Sequence, residues 1–148
     1  MVDGGRDLVV AVDPGGTTGL ATAWIDTTLK DVVARELSPY DAVAFIDELL
    51  TQRDVAYVAC ESFVPRPGIR SWQPDAIETI GALRYLCHRT NTPFELQSPA
   101  DAKRFSTNAK LERLGWRHPT RGGHADDALR HLLLLATRHR LIDAGTLL

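Results

Sequence analysis

Residues 8–19 read LVVAVDPGGTTG, a short apolar run that ends in one aspartate and a glycine-rich turn. The β-branched valines favour a strand, and Pro14-Gly15-Gly16 ends it at once. Asp13 is therefore expected at the end of a buried strand, where a carboxylate is costly unless it is paired, hydrogen-bonded or bound to a metal. One interpretation is that Asp13 only accepts backbone N–H bonds from the turn. A titratable group at a strand end facing a cleft more often belongs to a functional site.

The length of 148 residues fits one compact domain, so we expect a single domain over residues 1–148. No apolar run is as long as a membrane span, and the charged start is unlike a secretory signal. We therefore expect a cytoplasmic protein with no membrane partner. Cys60 and Cys87 fall within an apolar strand and a helix. They indicate small core residues rather than a disulfide or a zinc pair.

The net charge of −2 conceals an asymmetry between the two parts of the chain. Residues 1–61 carry 4 basic and 11 acidic residues, whereas residues 62–148 carry 13 basic and 8 acidic ones. Between 103 and 121 the only acidic residue is Glu112, and the basic residues are Lys103, Arg104, Lys110, Arg113, Arg117 and Arg121. This cluster is a candidate phosphate-binding surface, although a solvated helix face accounts for it equally well.

The order of apolar periods and turn signals predicts one α/β domain. A three-strand antiparallel meander (8–13, 19–26, 29–37) precedes a helix opened by Ser38-Pro39, and a strand over 55–60 ends on Glu61. A helix over about 75–89, with Ile77 in its inner stripe, precedes a strand over 93–97. Two short helices and a last helix from about 125 to 142 complete the chain. The fourth strand follows a helix, so it should lie parallel and adjacent to the first.

This topology brings Asp13 and Glu61 to the same edge of the sheet. Neighbouring strands lie about 4.8 Å apart, so the two carboxylates should converge. Like charges repel unless a cation lies between them, and oxygen ligands suit a hard divalent ion. Alternatively, Glu61 pairs with an arginine such as Arg66 or Arg70. We favour the metal interpretation.

The segment GGHADDAL (122–129) begins the last helix. His124 and Asp127 are three residues apart and share a face with Ala128 and His131, directed towards the sheet. Asp127 is the favoured metal ligand, with His124 as a further ligand or a proton carrier. Asp126 is more simply interpreted as an exposed carboxylate that stabilises the helix start.

Together, DPGGTTG (13–19), Glu61 at the end of the fourth strand and HADDAL (124–129) resemble the RuvC Holliday-junction resolvases of the RNase H-like superfamily. The resemblance covers nearly the whole chain, in order and with similar spacing. It implies an RNase H-like fold: a five-stranded mixed sheet, with a three-strand antiparallel meander and two parallel strands, flanked by helices. Two departures are the slightly acidic overall charge and the distinct sequence of residues 62–74.

The resemblance implies an endonuclease that hydrolyses phosphodiester bonds of four-way and other branched DNA with two Mg²⁺ ions, for which Mn²⁺ should substitute. Asp13 would bridge the ions, Glu61 and Asp127 would each complete one, and His124 would bind an ion or position the water. Lys103 and Lys110 match family lysines that contact DNA phosphates. Further candidate DNA-binding residues lie in the basic cluster and in the loop 62–74, where an aromatic side chain could wedge between bases: Arg104, Arg113, Arg66, Arg70 and Trp72.

Cutting two symmetric strands implies a twofold homodimer. The helix over 75–89 is a candidate dimer element, through its apolar stripe or through an outer face with Tyr85 and Trp116 as anchors. The sequence does not choose between these faces.

Two other functions are consistent with parts of the sequence. A nuclease of the same fold acting on RNA or on a broad range of branched DNA would have identical carboxylates. The DPGGTTG turn also resembles the first phosphate loop of actin-type and sugar-kinase-type domains, but those folds need two such domains. A non-catalytic scaffold is disfavoured because unneeded buried acids destabilise a fold.

Overall fold

The computed structural model of the protein describes residues 7–63, 74–117 and 123–142. Its strands are β1 (Asp7–Asp13), β2 (Thr18–Asp26), β3 (Thr28–Leu37), β4 (Val55–Glu61) and β5 (Phe94–Gln97). They form one sheet in the order β3-β2-β1-β4-β5. β1, β2 and β3 are antiparallel neighbours, whereas β4 runs parallel to both β1 and β5. The predicted mixed sheet is confirmed.

Within the described ranges, five helices flank this sheet: α1 (Pro39–Gln52), α2 (Pro74–Arg89), α3 (Pro99–Phe105), α4 (Asn108–Arg113) and α5 (His124–Arg138). Side-chain caps begin three of them, since Ser38, Ser98 and Thr107 each accept the backbone N–H of the residue three positions on. The Ser38 cap with the proline that follows it was predicted. Among the described residues, no helix is long and apolar enough to cross a membrane.

β1 is buried on both faces, because it lies in the middle of the sheet between two helical layers. Its odd-numbered residues Val9 and Ala11 pack in one core cluster with α5. Its even-numbered residues pack in the other cluster with α1 and α2. This alternation follows from the two-residue period of a strand. It leaves Asp13, at the end of β1, only 3 % exposed.

Helix α2 buries Leu83, Leu86 and Cys87, but the stripe that it packs inward does not include Ile77. Ile77 is 42 % exposed, and the predicted inward position is wrong. Ala76 and Thr79 are buried instead, and together with Leu83 and Leu86 they follow the helical spacing of one face. Ile77 lies one residue off that stripe. Cys60 and Cys87 are free and buried, as expected of core residues.

Helix α5 ends at Arg138, four residues before the predicted end. Arg140 adopts a left-handed conformation with φ 56°. The N–H of Leu141 donates to Ala136 O at 2.7 Å, and that of Arg140 donates to Thr137 O at 3.2 Å. These two bonds form a Schellman motif, which normally uses glycine at the left-handed position. Because no glycine marks this turn, the sequence pattern predicts the end of the helix too late.

Candidate active site

The register of the sheet sets Asp13 beside Glu61. Val12 pairs with Cys60 across the parallel β1–β4 ladder, so the next residue of each strand leaves the sheet at the same edge. The Glu61 side chain is 19 % exposed and that of Asp13 is 4 % exposed. The predicted convergence of the two carboxylates is therefore present.

The proximity of these acids changes their protonation. Burial, followed by the hydrogen bond with Glu61 and the charges of Glu61 and Asp127, raises the pKa of Asp13 to about 9. The positive charge of Lys103 acts in the opposite direction. At neutral pH Asp13 therefore holds a proton when no cation is near. A divalent ion would replace that proton and relieve the repulsion between the carboxylates.

The glycine-rich turn gives His124 its access to Asp13. His124 Nδ1 forms a hydrogen bond of 2.7 Å with Asp13 Oδ2. A Cβ atom on Gly15 would lie 3.3 Å from His124 Cε1, and one on Gly19 would lie 1.8 Å from the carbonyl oxygen of His124. The second distance is far inside van der Waals contact. The glycine at position 19 therefore lets the start of α5 approach β2 closely enough to present His124.

A carboxylate on β3 supports the start of α5. Gly123, the N-cap residue, has no side chain to accept a hydrogen bond, and Glu36 Oε1 accepts the N–H of Ala125 at 3.3 Å instead. Glu36 pairs with Gly19 in the β2–β3 ladder, which aligns it with this helix. A negative charge at a helix N-terminus is favourable. Sequence reasoning missed this residue, although the predicted meander placed it near the same sheet edge.

Asp127 lies one turn into α5 and is held by an arginine. Arg130 Nε lies 3.4 Å from Asp127 Oδ1. The same guanidinium donates to Ser106 O at 2.6 Å and contacts Asn108 between α3 and α4. Arg130 thus ties the corner between these helices to the metal-ligand candidate on α5.

Glu61 has a partner that the sequence did not identify. His131 Nε2 lies 3.1 Å from Glu61 Oε1, and His131 Nδ1 lies 2.9 Å from Gln97 Oε1. Burial alone would raise the pKa of Glu61. The hydrogen bonds with His131 and Asp13, together with the positive charges of His131 and Lys103, outweigh burial and hold that pKa below its ordinary value of 4.5. Glu61 is therefore the ionised member of the acidic pair.

Asp126 is buried, and the expectation of an exposed carboxylate is wrong. It is 3 % exposed, and its Oδ2 lies 4.0 Å from Arg117 Nε. Its Oδ1 has no hydrogen-bond partner within the described ranges. The first turn of α5 packs against the segment after α4, which covers this side chain. The acidic charges that raise the pKa of Asp13 come instead from Glu61 and Asp127.

The predicted DNA-binding residues differ in their surroundings. Lys103 on α3 is exposed, and its charge acts on both Asp13 and Glu61. The Lys110 ammonium donates to Phe105 O at 2.8 Å and lies 3.9 Å from the Phe105 ring centroid, so it supports the α3–α4 corner. Arg104 and Arg113 are exposed on these helices. Three residues lie outside the described ranges: Arg66, Arg70 and Trp72.

The donor set suits a hard divalent cation in its chemistry. The predicted ligands provide carboxylate oxygens from Asp13, Glu61 and Asp127, the donors that Mg²⁺ and Mn²⁺ prefer, and one imidazole from His124, which is more typical of other transition metals. Among the described residues, no three ligand-type side chains are already grouped closely around a metal position. Asp13 instead contacts His124, and Asp127 contacts Arg130. The fit therefore rests on donor chemistry and on the raised pKa of Asp13.

Three solved structures share this fold over most of the chain. RuvC of Thermus thermophilus in complex with a Holliday junction substrate has a TM-score of 0.70 at 18 % identity, covering 92 % of this chain and 96 % of that one. Another Thermus thermophilus RuvC structure has a TM-score of 0.59 at 17 % identity, covering 90 % and 97 %. The yeast mitochondrial Holliday junction resolvase Ydc2 has a TM-score of 0.52 at 15 % identity, covering 97 % and 81 %. No protein-family model and no curated protein sequence matches the chain.

These comparisons confirm that the chain has the RuvC-type RNase H-like fold that its three motifs predicted. The sequence identity is low, so the shared property is the fold. The acidic pair stands at the end of the two central parallel strands of that fold.

Proposed function

We propose that this protein is a divalent-metal-dependent endonuclease that cleaves four-way DNA junctions. The observation that carries the proposal is the Asp13–Glu61 pair, which shares one proton at the edge of the sheet and lies within the field of Lys103. A buried acid in contact with a second acid is costly to a fold, and a functional role accounts for this arrangement. The likeness to RuvC bound to a Holliday junction and to the Holliday junction resolvase Ydc2 favours branched DNA as the substrate class.

Asp13, Glu61, Asp127 and His124 are the residues that would hold the Mg²⁺ ions. Bound Mg²⁺ would lower the pKa of the attacking water and stabilise the charge on the leaving oxygen of the phosphodiester.

The protein's own side chains prepare this site. His124 fixes the orientation of the Asp13 carboxylate, and Arg130 fixes that of Asp127. Lys103 places an exposed ammonium group beside the acids, where it would neutralise a phosphate that approaches the negative site. The ions and this lysine would together offset the negative charge of the acids when a polyanion binds.

Cleavage of labelled DNA tests the proposed function. Four-way, Y-shaped and linear duplex DNA and an RNA–DNA hybrid are incubated with the protein and either Mg²⁺ or EDTA. We expect paired, symmetric nicks in the four-way junction that EDTA abolishes. Equal cutting of every branched DNA, or cutting of the hybrid, would replace the junction specificity with a broader nuclease. Failure to cut any nucleic acid, or hydrolysis of ATP instead, would overturn the proposal.

Lys103→Ala is expected to reduce junction cleavage by about tenfold. The number of counterions released on DNA binding, measured from the salt dependence of the affinity, should fall by about one. The ammonium group of Lys103 lies near the acids, whereas that of Lys110 is bound to Phe105. Lys110→Ala should change cleavage less and instead lower the melting temperature. Cleavage rates and DNA binding at several salt concentrations distinguish the two. An equal loss of cleavage in both variants would contradict this assignment.

A homodimer is the assembly that the proposed function requires, because two symmetric strands need two sites. Helices α1 and α2 form a groove of about 440 Å³ whose apolar lining includes Val43, Tyr40 and Tyr85. Tyr40 is 85 % exposed and Tyr85 is 61 % exposed. Trp116 packs against the core cluster of α5 and is therefore not available as the free anchor expected. We place the dimer contact on the α1–α2 face.

Tyr85→Glu is expected to weaken dimerisation by at least about tenfold, because a charge would be buried at the centre of the contact. Sedimentation velocity measures this change. Val33→Glu, on an exposed residue of the sheet edge, is the matched control and should remain dimeric. Dimerisation that survives Tyr85→Glu but not Val33→Glu would place the contact on β3 instead.

A further inference from the structure

A row of polar side chains lies buried beneath Glu61, within an otherwise apolar layer. His131 and Gln97 are each 1 % exposed. The neighbours of His131 on α5 include the buried Leu132 and Leu135. A buried polar group stabilises nothing by itself and is costly unless its hydrogen bonds are all made. A leucine at position 131 would avoid that cost, so the buried polar row calls for a functional explanation.

The direction of the hydrogen bonds in the row can be assigned from its outer end. Glu95 is a carboxylate and can only accept, so Gln97 Nε2 donates to Glu95 Oε2 at 3.1 Å. Gln97 then presents its carbonyl oxygen to His131 Nδ1, which donates at 2.9 Å. The ring is thereby fixed with Nε2 directed at Glu61 Oε1, 3.1 Å away. Glu95 thus orients Gln97, Gln97 orients His131, and His131 is directed at Glu61.

The outer end of the row is anchored near the surface. Glu95 Oε1 accepts from His139 Nε2 at 2.7 Å, and the His139 ring stacks on Tyr57 with centroids 4.0 Å apart. Residues from β4, β5 and α5 thus contribute to a single row that ends at a carboxylate of the candidate site. If His131 and Gln97 served only to pack the core, their hydrogen bonds would not need to end at the Glu61 carboxylate.

We propose that His131 is a positioning residue that orients the Glu61 carboxylate for metal binding, and that Gln97 fixes the His131 ring for this task. This inference rests on the proposed function, since it concerns a residue assigned to hold Mg²⁺. Groups that orient a ligand contribute about 10- to 100-fold to metal affinity.

Two amide substitutions at position 131 separate positioning from packing. In His131→Gln the amide nitrogen can reach the place of Nε2 and donate to Glu61. In His131→Asn it reaches only the place of Nδ1, next to Gln97. Titration calorimetry with Mn²⁺ on the DNA-free protein should give about tenfold or weaker affinity for His131→Asn. For His131→Gln we expect an affinity within about threefold of the wild type, and so rescue by the longer amide. Melting temperatures without metal should be similar for the two variants.

A second pair of variants keeps the test decisive if position 131 does not tolerate substitution. Gln97→Leu removes the acceptor that fixes the ring and should weaken Mn²⁺ binding severalfold. His139→Phe keeps the stacking on Tyr57, loses only the outermost hydrogen bond and should leave the affinity unchanged.

Equal Mn²⁺ affinity in His131→Asn, Gln97→Leu and the wild type would overturn the positioning role and leave the proposed function intact. A wild-type protein that binds no Mn²⁺ would overturn the proposed function, and this inference with it. The two failures are therefore distinguishable in one titration series.

Discussion

Asp13→Asn is expected to melt at a higher temperature than the wild type at pH 7 and to cut no DNA. Loss of activity follows because one of the carboxylates proposed to hold Mg²⁺ would be gone. Several kcal/mol of transition-state stabilisation, and so at least about a thousandfold in rate, depend on such a ligand. The gain in stability follows because burial and the neighbouring acids raise the pKa of Asp13 to about 9.

The sign of the stability change follows from proton binding. The unfolded chain releases the Asp13 proton near the ordinary pKa of 3.8, whereas the folded chain retains it until about pH 9. Stability from this group is fully present below pH 3.8 and is lost progressively as the pH rises towards 9. Asn carries no such titration. At pH 7, without divalent ions, we expect a rise in melting temperature of at least about 3 °C.

Thermal unfolding of both proteins between pH 5 and pH 9 measures this effect, and the gap should widen with pH. Mg²⁺ should raise the melting temperature of the wild type and not that of Asp13→Asn. Glu61→Gln is the matched variant of opposite sign, because the pKa of Glu61 is lowered and its charge stabilises the fold above its ordinary pKa of 4.5. It should lose activity and stability together. A destabilised Asp13→Asn would contradict the shared-proton arrangement.

Gly19→Ala is expected to destabilise the fold strongly, although it adds only one methyl group. The added Cβ would lie 1.8 Å from His124 O and 2.3 Å from His124 C, which are backbone atoms that no rotamer change can move. The start of α5 must therefore shift away from β2 or the sheet must deform. Overpacking of this kind costs about 3 kcal/mol or more. Because His124 moves with that helix, its hydrogen bond to Asp13 would be lost too.

Gly81→Ala is the control, since no atom lies within 4 Å of the position of its Cβ on α2. An exposed helical glycine replaced by alanine gains about 0.5–1 kcal/mol. Urea unfolding of the two variants should therefore shift the midpoint in opposite directions. The cleavage rate of any folded Gly19→Ala should fall well below that of Gly81→Ala. Wild-type stability in Gly19→Ala would mean that α5 does not approach β2 this closely.

The sequence was sufficient to predict the sheet and the acidic pair, because local patterns determine both. The valines of β1 and the turn after Asp13 mark a buried strand and its end. A helix between β1 and β4 makes their parallel pairing the simplest topology. The place of Asp13 and Glu61 then follows from geometry alone.

What the sequence could not predict depends on packing between distant segments. The burial of Asp126 results from contact with the segment that carries Arg117. The local periodicity of the sequence does not indicate such a contact. The pairing of His131 with Gln97 joins residues 34 positions apart in sequence. The left-handed Arg140 ends α5 without a glycine, so the usual stop signal was missing.

The central position of β1 couples the acidic pair to the packing of both cores. Its side chains alternate strictly between two cores, so sliding by one residue against β4 would exchange the contents of both cores. The same slide would separate Asp13 from Glu61 and leave no paired acids to bind an ion. Any loss of the native β1–β4 register would therefore remove the acidic pair together with the packing of both cores.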